Sequence, residues 1–193
     1  ARPLLGRQES CVSCHLTYDT LRVPGPTLRT TYPRARADDY VNGRPVDHAR
    51  PMDDRWGGWW VTGARVPERH RGNQALLQPT PVAGPPPLLA SVAGQFDTTG
   101  YLTATSDIVA LLVLEHQVQA TNLMTRLNWE ARLGDPARVT AAVEALTDYL
   151  VFADEVVLEP VAGTSAFAAE FQARGRRDDR GRSLRDLKLD GRL

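Results

Sequence analysis

The pentapeptide Cys11-Val12-Ser13-Cys14-His15 decides how this chain is read. It holds the only two cysteines among 193 residues, so a disulfide framework does not stabilise the protein. Two thiols three positions apart on the first turns of a helix project from nearly one face, and the next residue adds an imidazole. A structural zinc site needs four ligands. No second cysteine pair exists, and His48, His70 and His116 stand at no familiar zinc spacing from the motif. A dithiol redox pair calls for a strand before it and a helix after it. This motif instead follows a short lead containing Pro3, Arg2 and Arg7. The C-x-x-C-H spacing suits a third chemistry better, addition of both thiols to the two vinyl groups on one edge of a haem. His15 is then carried under the ring as the proximal iron ligand. Ser10 suits the N-cap, with Glu9 before it, and a helix is predicted over residues 10–22.

Downstream lies Val23-Pro24-Gly25-Pro26-Thr27-Leu28, which resembles the G-P-x-L segment of class I c-type cytochromes. That resemblance implies that the Pro26 carbonyl accepts the second N–H of His15 and that Leu28 packs against the haem. Such an acceptor fixes the ring and raises its basicity. The likeness covers only about the first thirty residues. A second stretch runs from Asp47-His48 through Arg55-Trp56-Gly57-Gly58-Trp59-Trp60-Val61-Thr62-Gly63. It is similar to a segment of larger bacterial cytochrome c-like proteins, as is Leu114-Glu115-His116-Gln117. In that group a methionine follows the Arg-His pair. Here Arg71 follows Arg69-His70, so no methionine ligand arises at that position.

Composition narrows the partners. Lys and Arg total 23, as do Asp and Glu, which leaves no basic surplus for phosphates and argues against nucleic-acid binding. The longest strongly apolar run, Ile108–Leu114, falls far short of the roughly 20 residues of a membrane span, so no transmembrane segment is expected. The chain opens on Ala1-Arg2-Pro3, and a mature form whose targeting segment was removed or left out is expected.

The fold class predicted is mainly α: a cytochrome c-like haem core, a long loop region and a C-terminal helical hairpin. Residues 1–104 form the haem-binding region, 105–174 a helical region packing on it, and 175–193 a charged tail. Pro79, Pro81 and Pro85-Pro86-Pro87 prevent regular structure over 78–88. Thr105 or Ser106 is expected to cap a long amphipathic helix reaching about Arg132. Gly134-Asp135-Pro136 ends that helix and starts another, which runs to about Asp154, with Asp135 as N-cap. A short helix from Thr164 or Ser165 to Arg174 closes at Gly175. Ser183 with Leu184, Leu187 and Leu189 offers a short docking stretch within the tail.

The sixth iron ligand separates an electron carrier from an open-site haem protein. His116 is the leading candidate, on an apolar helical stripe with Val109, Leu112, Val113, Ala120, Leu123 and Leu127. A satisfied core histidine is the alternative. Met52 comes second, in the loop after His48-Ala49-Arg50-Pro51, and Met124, His48 and His70 follow. Trp56, Trp59 and Trp60, with Gly57 and Gly58, are expected to cover the haem edge, where aromatics exclude water. Arg55, with Arg65 and Arg69, suits the propionates. Core tryptophan and a solvated basic rim are the plainer alternatives.

The function expected is single-electron transfer by one covalent haem c between extracytoplasmic (periplasmic or extracellular) redox partners. The rivals are an open-site enzyme or gas sensor, and a subunit of a larger electron-transfer complex.

Overall fold

A computed structural model describes residues 9–31, 43–74 and 85–183. Among these, the chain is mainly helical, with four α-helices and one antiparallel pair of two-residue strands. No described helix is long and apolar enough to cross a membrane.

The attachment motif lies on α1, Glu9–His15. The helix is shorter than predicted because Thr17 begins a separate tight turn. Its hydroxyl accepts from the Asp19 amide, and the Thr20 hydroxyl accepts from the Thr17 amide. Leu21 and Arg22 then adopt left-handed backbone, with φ of 58° and 60°. This reverses the chain and lays Gly25 back against His15, whose carbonyl accepts the Gly25 amide at 3.0 Å. Strands β1 (Arg29–Thr30) and β2 (Arg44–Pro45) pair just beyond.

Helix α2, Ile108–Leu133, is the spine of the fold. Its cap is Asp107 rather than the expected Thr105 or Ser106. The Asp107 Oδ1 accepts from the amides of Val109 and Ala110. Its Oδ2 accepts from the amides of Thr164 and Ser165 and from the Ser165 hydroxyl. One carboxylate thus starts the long helix and fastens the C-terminal segment to it. Thr164 and Ser165 are engaged there, so α4 begins later than predicted and spans Phe167–Arg174. A Cβ on Gly163 would collide with the same carboxylate. Burial raises the Asp107 pKa, but the bonds from Ser165, Val109 and Thr164 outweigh it and leave the group below its ordinary value.

Gly134 ends α2 in left-handed backbone, with φ of 76°. Asp135 caps α3, Pro136–Leu150, and accepts from Ala137 and Arg138. Helices α2 and α3 form the hairpin expected from Gly134-Asp135-Pro136. Phe152 and Asp154 take left-handed backbone, so α3 stops short of Asp154. Residues 85–88 carry no regular structure, as the prolines require. The rest of 78–88, and Leu184, Leu187 and Leu189, lie outside the described residues.

The core gathers Met52, Trp56, Val61, Ile108, Leu111 and Leu112. Thr62 ties loop to helix: its amide donates to the Ser106 carbonyl at 2.7 Å, and its carbonyl accepts from Ile108 at 2.9 Å.

Asp107 serves two segments at once, so Asp107→Ala is expected to cost about 2–4 kcal/mol, the loss of a helix cap plus buried donors left without an acceptor. Urea denaturation measures this. A loss under about 0.5 kcal/mol, within the ordinary range of surface substitutions, would contradict the double role.

Candidate functional site

The sequence places two thiols and an imidazole on one short helix, and the reversed loop behind it supplies their support. Cys11 and Cys14 are free thiols, the first exposed and the second partly so. Val12 and Leu16, apolar and four residues apart, stand 48% and 42% exposed beside them. The His15 ring is exposed, and its Nδ1 lies 2.9 Å from the Gly25 carbonyl. A carbonyl only accepts, so Nδ1 carries the proton and Nε2 keeps its lone pair for a metal.

The acceptor is one residue ahead of the one the G-P-x-L resemblance implies. The Pro26 carbonyl turns instead to α2, where it accepts from the Asn122 Nδ2 at 2.9 Å. Gly25 sits so close to Asn122 that a Cβ there would collide with the amide oxygen. Four residues on, the Arg126 guanidinium donates to the Leu21 carbonyl at 2.7 Å. Successive turns of one helix face therefore hold both arms of the loop that supports His15.

These residues fit a covalent haem c. The two thiols and the oriented imidazole are the full donor set for attachment and proximal ligation, with exposed apolar groups beside them.

The second half of the site is buried. Glu115 is 3% exposed. Its Oε2 accepts from the Arg55 guanidinium at 2.7 Å, and its Oε1 from the Trp56 indole at 2.6 Å. Burial pushes the Glu115 carboxyl above the usual carboxylate range, against the pull of Arg55 and Trp56. Two donors on two oxygens call for the ionised, acceptor-only form. Arg55 also donates to the carbonyls of Arg50 and His48. The Arg55 expectation is corrected here: a guanidinium 2% exposed and fully engaged is not free for a propionate.

Trp56 is buried, and Trp59 is half-buried with its indole donating to the Arg29 carbonyl at 2.9 Å. Both line a small recess with Leu28, Val46, Leu111 and Leu114. Leu28 and the two tryptophans therefore do share one wall. Trp60 is separate, packed on Phe96 with ring centroids 6.0 Å apart.

The expected distal residues have other neighbours in the structure. His116 lies six residues before Asn122, about 9 Å along α2 and about 120° around it, so it faces α3. Its Nδ1 is 2.8 Å from the Tyr149 hydroxyl and its Nε2 is 3.3 Å from Glu155. His48 completes this cluster, with its ring edge-on to Tyr149 at 4.7 Å. Met52 is buried in the core and Met124 is exposed. His70 is 4% exposed and packs edge-on against Trp56 at 5.6 Å. Burial pushes its pKa down to about 4.

Sequence reasoning missed Glu115, Asn122 and Arg126 as organisers. The signal was present: a carboxylate or amide inside an apolar helical run demands a buried partner. Comparison of the chain with protein-family models, curated proteins and solved structures finds no match.

Removing one member of a buried ion pair strands the other. Glu115→Ala is therefore expected to destabilise by about 3–5 kcal/mol in urea denaturation. A cost below about 1 kcal/mol, typical of an exposed pair, would contradict the burial of Arg55. His70 is neutral when folded, so its contribution is complete above its ordinary pKa of 6.5 and is lost as pH falls toward about 4. The wild type is expected to lose about 3 kcal/mol more than His70→Phe over that interval. Parallel pH–stability profiles would contradict this.

Proposed function

We propose that this chain is a monohaem c-type cytochrome that transfers single electrons between extracytoplasmic redox partner proteins. Cys11 and Cys14 form the two thioethers, and His15 is the proximal ligand. The observation that carries the reading is the 2.9 Å contact between His15 Nδ1 and the Gly25 carbonyl, ten residues behind C-x-x-C-H. That contact orients the imidazole and leaves Nε2 for iron. The haem, when bound, supplies a one-electron Fe(III)/Fe(II) couple.

The chain's own residues do the rest. The amide of Asn122 and the guanidinium of Arg126 hold the loop, and the loop holds His15. A fixed ligand limits the rearrangement that accompanies a change of charge at the metal. The apolar residues Val12 and Leu16 stand beside the thiols, where they would exclude water from the attached edge. A cytochrome c-like core remains part of this proposal, as does the alternative of a subunit in a larger electron-transfer complex.

Expression in a host that attaches haem c tests the reading. Haem staining after denaturing electrophoresis is expected for the wild type and lost in a Cys11→Ala, Cys14→Ala double variant. A single reversible one-electron wave is expected in a redox titration. A wild type that stays colourless in that host would overturn the proposal.

A further inference from the structure

We infer that Asn122 is a positioning residue for the proximal ligand, and that through it α2 sets the reduction potential of the attached haem. This rests on the haem c reading above and deepens it. One amide on a helix remote in sequence becomes the means of tuning the couple.

The contacts run without a gap. The Pro26 carbonyl can only accept, so the Asn122 nitrogen at 2.9 Å is its donor and the orientation of the amide is fixed. The other end of that amide, Oδ1, abuts Gly25, where a Cβ would collide with it. Asn122 therefore touches both residues of the Gly25-Pro26 pair. The peptide bond between them carries the carbonyl that His15 Nδ1 meets at 2.9 Å. The Gly25 amide returns to the His15 carbonyl at 3.0 Å, so these two residues hold each other at main chain and ring. Only main-chain atoms of Gly25 and Pro26 stand between the Asn122 amide and the imidazole.

Asn122 is 1% exposed, and its Oδ1 is buried without a hydrogen-bond partner. A buried acceptor left unpaired lowers stability. An apolar residue of similar volume would avoid that loss, so stability alone does not account for an amide at this position. What leucine could not supply is the donor to Pro26, and with it the placing of the Gly25 carbonyl.

The direction of tuning follows from charge. A carbonyl close to Nδ1–H draws the proton toward itself and makes Nε2 a stronger electron donor. Stronger donation favours ferric over ferrous iron and lowers the potential. Without the Asn122 donor the Gly25 carbonyl is free to draw away, and the potential rises. Outer partners of metal ligands change metal affinity by about 10–100-fold, and the lower end is expected for a residue one contact further out.

The test uses the full chain with covalent haem. Asn122→Leu removes the donor, whereas Gly25→Ala forces the same contact apart and keeps the amide. Potentiometric titration is expected to show a rise of about 59 mV in each, the equivalent of an about tenfold shift in the one-electron equilibrium. Asp107→Ala weakens the fold on the order of 20 Å away along α2 and does not touch this loop. Its equilibrium is expected to stay within about twofold of wild type. Potentials unmoved beyond that twofold in Asn122→Leu and Gly25→Ala, or lowered in them, would overturn the inference alone. So would an equal rise in Asp107→Ala, which would make the effect one of general stability. A wild type without covalent haem would overturn the haem reading and this inference with it.

Discussion

The carboxylate of Glu115 is the point on which the structure turns. It sits inside an apolar helix where an unpaired charge could not persist, and two neighbours in sequence, Arg55 and Trp56, satisfy its two oxygens. Those contacts cross about sixty residues of chain and fix the loop region to α2. Arg55 in turn gathers the carbonyls of Arg50 and His48, and its own carbonyl accepts from Arg71. A loop-rich segment with few internal bonds thereby acquires a defined path.

Glu115 belongs to a series. Asp107, Glu115, Asn122 and Glu130 are the buried polar groups of α2 and its cap, spaced at seven or eight residues, close to two helical turns. Asp107 fastens the segment before α4, Glu115 the Arg-Trp loop and Asn122 the His15 loop. Glu130 takes the Arg138 guanidinium of α3 at 2.9 Å and also pairs with Arg126, which reaches the His15 loop. Apolar packing brings these segments to one helix, and the polar groups decide where each one sits. The placing of the loop that meets His15 therefore rests on α2, through Asn122 and Arg126.

Much of this was legible in the sequence. The mainly helical class, the hairpin at Gly134-Asp135-Pro136 and the helix at the cysteine pair follow from local signals that tertiary contacts did not override. Helix ends were less legible wherever a distant partner set them. Asp107 displaced Thr105 and Ser106 as cap because one carboxylate also had to hold Thr164 and Ser165, and the same demand delayed α4. The stripe containing His116 reads as facing a buried neighbour, and what His116 meets is Tyr149 of α3 and Glu155. Spacing along a helix says which residues share a face and not which neighbour covers it. The Pro26 expectation came from resemblance, and the Arg55 expectation from the match of a guanidinium to propionates. The first shifted by one residue because Leu21 and Arg22 reverse the chain through left-handed backbone, and the second gave way to a buried carboxylate that neither motif announced.

The central claim is that two thiols and one imidazole on α1 hold a single haem. Its most direct test is the intact mass of the denatured chain, purified from a host that attaches haem c and treated with a thiol-alkylating reagent. The account predicts the mass of the chain plus one haem, with neither Cys11 nor Cys14 alkylated. A chain without haem, alkylated at both cysteines, would contradict it.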